Sequence, residues 1–385
     1  MGKVIVLEAP AVIGYEEYPD RPTTHWGSLF GQETAEGLNG YDLGGRTMRL
    51  RTAILGCGGF AHRHAANLVG QASKFEIVAF CDRHPERAQA LSARYTDGRA
   101  AVFSDHHALL AAAALDLCVV CLPPYGHSDE VEAAAARGVH LLLEKPIALS
   151  SEQAWRMVAA AERAGIKTQV GFMTRFGAAI ARFKQMLDAG ETGPVGLMSA
   201  RYFCNQLHAP WWRDRDKSGG QLVEQVIHLL DLMRYVMGEP ATVYSLQNNM
   251  FHRHMPDYTI EDGSGTVIGF ENGGIGVVYA SNGAIPGRWI NDYRIVAQNV
   301  TADFTDANHA NFTYTAGPLL HTEIVSADVP YHLQELLDLH AAIVEDRPPV
   351  TPIREGALSL DLALAARQSA ETRSVVTIAR PSQAE

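Results

Sequence analysis

From Met48 to about residue 170, short apolar runs alternate with longer amphipathic stretches. RTAILG (51–56), FEIVAFCD (75–82), AAVF (100–103), LDLCVVCLP (115–123), VHLLLEKP (139–146) and KTQVGF (167–172) are apolar almost throughout. Runs this short, apolar on both faces and bounded by turn residues, predict strands buried on both sides. Between them lie helical patterns. HPERAQALSARY has Pro85 near its first turn, and HSDEVEAAAARG is closed by Gly138. Ser150 with Gln153 forms a capping box that opens another helix. Strands separated by helices predict βαβ units and a parallel, doubly wound sheet.

After about residue 195 the pattern changes to strict alternation in TVYSLQNN, GTVIGFENGGIGVVYA and DYRIVAQNVTADFTD. Alternation with period two predicts strands with one covered face, and ENGG (271–274) predicts a hairpin turn. The last long pattern, REGALSLDLALAARQSAETR, predicts a helix. The fold class expected is α/β, with a dinucleotide-binding domain of Rossmann type over 48–170. An α+β domain over 171–352 follows, carrying a large, open, mainly antiparallel sheet. A closing helix over about 353–375 is expected to pack back on the first domain. Residues 1–47 lack a sustained period and are expected to form an arm lying on another surface, such as that of a neighbouring subunit.

Composition narrows the function. The chain has 385 residues, 47% hydrophobic and 19% charged, the profile of a globular protein with a substantial core. Its net charge of −11 argues against a nucleic-acid partner or a membrane-surface helix. No apolar run reaches the roughly 18 residues of a membrane span, and the opening lacks a secretory pattern. Five cysteines, an odd number, suit a reducing cytoplasm. Cys118 and Cys121 form a lone CxxC inside an apolar run and read as buried thiols rather than zinc ligands.

The first strand ends in Gly56-Cys57-Gly58-Gly59-Phe60-Ala61, a GxGxxA turn leading into a helix. Gly56 permits the tight turn, Gly58 lets backbone N–H groups approach a pyrophosphate, and Ala61 allows close helix–strand packing. The second strand ends in Asp82, placed to take the ribose hydroxyls. Its carboxylate favours NAD and disfavours the extra phosphate of NADP, with Arg83 beside it as the opposing charge.

Two further groups carry chemistry. Glu144-Lys145-Pro146 follows a strand, where doubly wound folds bind ligands, so Lys145 is expected to face the cofactor crevice. In GGQLVEQVIHLLDLMRYVMG, a helix apolar nearly all round carries Glu224, His228, Asp231 and Tyr235 at steps of four, three and four. That places one polar stripe on a buried helix. Such a stripe either faces a wet cavity or is paired internally. A carboxylate one turn from a histidine would orient its ring and favour the imidazolium. Trp212, in Trp211-Trp212-Arg213, suits either a sugar ring or core packing. Arg175, in GFMTRF, suits either the cleft or an ordinary ion pair. The HxH pairs His62/His64 and His252/His254 read as surface histidines.

Together, ILGCGGFA, CLPPYGHSDEVEAAAARGVHLLLEKPIALS, GFMTRF and SGGQLVEQVIHLLD resemble the Gfo/Idh/MocA family over roughly residues 48–375. The resemblance implies an NAD(H)-dependent oxidoreductase moving hydride to or from a secondary alcohol of a sugar, inositol or sugar derivative. Lys145 would bind the hydroxyl and lower its pKa. His228 would be the general acid/base, oriented by Glu224, which stands where the family commonly has Asp. Asp231 and Arg175 would hold neighbouring hydroxyls. His127 would lie near the nicotinamide ribose, and Pro123, Glu144 and Lys145 would complete the cofactor wall. Leu122-Pro123-Pro124 replaces the usual Thr-Pro-Asn, so contacts there differ. A homodimer or homotetramer through the second sheet is implied, with Tyr244, Val267, Val277, Tyr279 and Ile295 supplying surface. Two alternatives stay open: a redox-neutral glycosidase working by transient sugar oxidation, and a non-catalytic dinucleotide-binding regulator.

Overall fold

A computed structural model describes residues 48–378; the arm expected over 1–47 lies outside the described residues. Six strands form a parallel sheet: β1 (Leu50–Leu55), β2 (Phe75–Cys81), β3 (Ala101–Phe103), β4 (Leu117–Val120), β5 (His140–Leu143) and β6 (Thr168–Val170). Their order is β3-β2-β1-β4-β5-β6. The order reverses direction between β1 and β4, so a crevice opens there beyond the carboxyl ends of the strands. Successive side chains of β1 point to opposite faces. Leu50 and Ile54 join one core with Phe75, Phe80 and Leu68, and Ala53 and Leu55 join the other. Helices cover both faces, which is why these strands are apolar throughout.

Nine strands form the second sheet: β7 (Val195–Phe203), β8 (Pro240–Asn248), β9 (Gly263–Phe270), β10 (Ile275–Ser281), β11 (Ile290–Ala297), β12 (Val300–Phe304), β13 (His309–Tyr314), β14 (His321–Ser326) and β15 (Val376–Thr377). Their order is β14-β13-β12-β11-β7-β10-β9-β8-β15. All neighbours are antiparallel except β7 and β10, which run parallel. The ENGG turn joins β9 to β10, as its residues predict, with Gly273 at a positive φ of 86°. The alternation has its expected cause: Met198, Val243, Ile268 and Val278 are buried against helices, while Leu197, Tyr244, Val267 and Tyr279 are exposed on the other face. Ile295, expected among the exposed residues, is fully buried. Its register partner is Met198, which fixes it on the covered face.

Two late helices tie the sheets together. Helix Ile353–Thr372 packs on helix Ser151–Ala164 and on β8. Helix Tyr331–Val344 packs against β5 and β6, and its Leu336 and Leu339 enter the core between the parallel sheet and helix Gly59–Gly70. This second helix brings Glu335 and His332 close to the Glu144-Lys145 segment, a proximity the linear order of the chain does not suggest. Among the described residues, no helix is long and apolar enough to cross a membrane.

Candidate active site

A cavity of about 550 Å³ opens at the carboxyl ends of β1, β2, β4 and β5. Gly56, Gly58, Gly59 and Phe60 form one wall. Gly56 has φ +88°, and a Cβ there would lie 2.6 Å from the Cys121 carbonyl oxygen, so only glycine fits this crossing of β1 and β4. A Cβ on Gly58 or Gly59 would meet nothing within 4 Å, which leaves open space in front of the first helix. That helix, Gly59–Gly70, has no side chain capping its first turn. Its free N–H groups and positive dipole end therefore border the space a pyrophosphate needs. Ala61 is buried behind this wall and packs the helix on the sheet.

Asp82, Arg83 and Arg87 line the end of the cavity beside β2. The Asp82 carboxylate is fixed by two backbone donors, Cys57 N–H at 2.7 Å and His84 N–H at 2.8 Å. Each oxygen keeps a lone pair for a ribose hydroxyl. Pro123, Tyr125 and Ser128 line the β4 side, and Glu144 and Lys145 the β5 side. These residues fit a dinucleotide: a glycine cradle, an uncapped helix end and an anchored acid.

At the opposite end, the Lys145 ammonium donates to Glu224 twice, to Oε1 at 2.7 Å and to the backbone carbonyl at 2.8 Å. Trp212 Nε1 donates to the other carboxylate oxygen at 2.8 Å. Glu224 sits in a π-helical turn, Leu222–Val226, which passes into helix Ile227–Met237. The extra residue of that turn changes the phase between Glu224 and His228 from that of an unbroken α-helix. Gly220 (φ +99°) precedes the turn because Glu261 occupies the space of a side chain: a Cβ would lie 2.4 Å from its carboxylate. Glu261 accepts the Leu222 N–H at 2.7 Å and so anchors the helix start.

His228 is 6% exposed and makes no hydrogen bond among the described residues; its Nδ1 is buried, and Phe172 packs edge-on against the ring. Burial, then the charge of Lys145, holds its pKa well below the usual histidine value. The ring is therefore neutral at neutral pH, the form that accepts a proton. Around this end stand aromatic rings. Trp211 packs near Tyr125 (6.0 Å between centroids), and His208 near Trp212 (4.2 Å) and Trp289 (5.5 Å). Burial holds His208 down to about 4, so it too is uncharged.

Residues 50–172 match the model of the oxidoreductase family with an NAD-binding Rossmann fold, and residues 180–302 match the GFO/IDH/MocA C-terminal domain. The chain is 31% identical over 243 residues to D-glucoside 3-dehydrogenase of Escherichia coli, covering 59% of this chain and 68% of that protein. It is 32% identical over 238 residues to scyllo-inositol 2-dehydrogenase (NAD(+)) of Bacillus subtilis, covering 60% and 67%. The solved structure of levoglucosan dehydrogenase in complex with NADH superposes with a TM-score of 0.80 at 20% identity, over 87% of this chain and all of that one. The chain belongs to the GFO/IDH/MocA family of NAD-binding oxidoreductases.

Within this family member, several expected roles are corrected by the geometry. Glu224 makes no hydrogen bond to His228: its oxygens accept from Lys145 and Trp212, and burial with the charge of Lys145 holds the histidine neutral rather than as the imidazolium. Asp231 is 0% exposed and does not hold substrate hydroxyls. Arg175 donates to both its oxygens, at 2.8 and 2.6 Å, and Ser359 donates at 3.0 Å. Arg175 is equally committed, with a further bond to Glu355 at 2.8 Å and its guanidinium over the Tyr235 ring. The ordinary ion pair is thus the correct reading for both, and neither lines the cavity. Trp212 is 2% exposed and supports Glu224 from behind, and Trp211 is the cavity-lining tryptophan. The His127 ring is fully buried, with Nδ1 on Glu130 at 2.6 Å, and the wall beside it is made by Gly126, Ser128 and Glu130. His64 is no surface histidine: it is buried on Glu144 at 2.7 Å, because two residues along a helix turn a side chain to nearly the opposite face from His62. Arg87 and Tyr125 line the cavity without having been singled out, and of the Trp211-Trp212 run it is Trp211 that lines it. Arg87 and Tyr125 sit two residues past Pro85 and directly after Pro124, places where position relative to a strand end was the available signal.

Proposed function

We propose that this chain is an NAD(H)-linked dehydrogenase acting on a secondary ring alcohol of a sugar, cyclitol or related polyol. The observation that carries the reading is the Lys145 ammonium at the cavity wall, backed by Glu224 and neighbouring a neutral, unpartnered His228. Bound NAD⁺ supplies the hydride acceptor. An ammonium has three donors, and Glu224 takes two. The third is left for the substrate oxygen, whose alkoxide character the positive charge stabilises. His228 takes the hydroxyl proton, and its buried Nδ1 leaves Nε2 as the accepting atom. Trp211 and Tyr125 offer aromatic faces to the C–H side of a ring. The names of the two relatives, a glucoside 3-dehydrogenase and an inositol 2-dehydrogenase, support the same substrate class.

Residues 48–170 would serve as the cofactor domain and 171–352 as the substrate and assembly domain. The exposed face of the second sheet carries Leu197, Tyr244, Leu246, Val267, Ile275 and Tyr279, an apolar surface suited to pairing with a second copy. Five unpaired cysteines suit a reducing cytoplasm. An NAD⁺-reduction screen over inositols, aldoses, sugar acids and glycosides tests the activity. NADH formed with at least one class supports it. Turnover of a glycoside with no net NADH would replace it by redox-neutral cleavage.

A further inference from the structure

Glu144 lines the cofactor cavity, yet its carboxylate belongs to a buried cluster. Its Oε1 accepts from His64 Nε2 at 2.7 Å. Glu335, from helix Tyr331–Val344, is 0% exposed and brings a carboxyl oxygen within 4.8 Å of both groups. Neither oxygen of Glu335 has a hydrogen-bond partner among the described residues. The other groups facing it are Arg63 on the first helix and Cys121 just past β4; His332, three residues before it on its own helix, faces Arg63, Glu144 and His64. Arg63 lies against His332 (3.2 Å), and His332, held down to about 4 by burial and then by Arg63, carries no charge.

A buried carboxylate with no donor, set beside a second carboxylate, is strongly disfavoured in its charged form. Two acids in one site resolve this by separating their protonation states. Glu144 has a donor in His64 and an adjacent Lys145; Glu335 has neither. We propose that Glu335 is carried as the uncharged acid, leaving Glu144 the single negative charge of the cluster, and that NAD⁺ binding depends on this one proton. The directions agree: burial and Glu144 push Glu335 well above the ordinary carboxyl value, while His64 and Lys145, against burial, bring Glu144 below it. Glu335 touches neither cofactor nor substrate. It acts through Glu144, a wall of the cavity that must accept a pyrophosphate bearing negative charge, so it is a positioning residue.

The experiment compares full-length wild type with E335Q, which keeps the shape of a neutral acid, and E335L, which keeps neutrality alone. Melting temperature and NAD⁺ affinity are followed from pH 6 to pH 9. A group whose folded pKa is raised loses its contribution as pH rises through that pKa, because the native chain must hold a proton the unfolded chain has released. The wild type is therefore expected to lose about 2 °C or more per pH unit relative to E335Q, until Glu335 ionises. NAD⁺ affinity is expected to stay level in both proteins while that slope persists, and then to fall in wild type, but not in E335Q, where the slope ends as Glu335 ionises. Parallel melting curves for wild type and E335Q would overturn the proposal. So would a stoichiometric metal ion in wild type that E335Q loses, since the carboxylate would then be a ligand. Wild-type NAD⁺ affinity that does not fall once the melting-temperature slope has ended would overturn the link to the cavity. Should neither variant fold, the wild type's infrared spectrum at pH 7 decides: the absence of any protonated-carboxyl C=O band would reject the uncharged acid.

Discussion

Replacing Asp231 by Ala should cost stability and leave substrate recognition intact. The carboxylate is fully buried and takes both Arg175 donors and the Ser359 hydroxyl. Burial opposes the charge on Arg175, and Asp231 and then Glu355 outweigh it, holding its pKa above the ordinary value. Breaking a buried pair by removing one partner costs about 3–5 kcal/mol. Arg175 would keep Glu355 at 2.8 Å and the Val350 carbonyl at 3.3 Å, which places the loss near the lower end. The Ser359 hydroxyl, which keeps the Arg234 donor at 3.0 Å but loses its acceptor, adds about 1 kcal/mol. With a urea m-value of about 3 kcal/mol/M for a chain of this size, the unfolding midpoint should fall by about 1 M. Tryptophan fluorescence in a urea series measures it, and steady-state kinetics in buffer measures KM. Asp231→Asn, which preserves the shape but not the charge, should fall between wild type and Asp231→Ala. An unchanged midpoint with a KM raised tenfold would refute the reasoning and return Asp231 to the substrate site.

Three other outcomes follow from the site and the sheet. Asp82, anchored by two backbone amides, should repel a ribose phosphate, so kcat/KM with NAD⁺ should exceed that with NADP⁺ by at least about tenfold; a preference for NADP⁺ would mean that Arg83 and Arg87 dominate that end. Burial and Lys145 hold His228 below its usual value, so the base form persists as pH falls, and the acid limb of kcat/KM for alcohol oxidation should lie below pH 6.5. A limb centred above pH 7 would point to a histidine held as the imidazolium. Light scattering should report a dimer or tetramer, and Tyr244→Lys with Val267→Lys should yield monomers; a monomeric wild type would reject the sheet-face interface.

The parts of the fold legible in the sequence are those specified by neighbours along the chain. The glycine turn, the acid at the end of β2 and the ENGG hairpin are local, and their residues describe the backbone they adopt. Lys145 was legible because it directly follows a strand whose carboxyl end is the ligand-binding edge. The polar stripe of the buried helix was legible as a stripe, but three of its members go to different partners and His228 to no hydrogen bond among the described residues. Glu224 goes to Lys145 and Trp212, Asp231 to Arg175 and Ser359, and Tyr235 lies under Arg175. Those partners arrive from distant segments, so spacing on one helix could not separate cavity-facing from internally paired groups. The π-helical turn likewise begins at a tertiary contact, where Glu261 closes over Gly220 and accepts the Leu222 N–H. Glu335 could not be connected to Glu144 because the helix that carries it follows β7 to β14 of the second sheet in sequence.

The central claim is the proposal that Lys145, on the cavity wall, and His228, buried near it, handle the substrate proton. Single-turnover formation of NADH, with a substrate identified by the screen, measures that step in wild type, Lys145→Ala and His228→Ala, alongside NAD⁺ affinity for each. Both variants should lose about 10²–10⁴-fold in rate, the scale of general acid–base catalysis, while NAD⁺ affinity changes by only a few-fold. A near-normal rate in either variant would contradict the assignment of that residue.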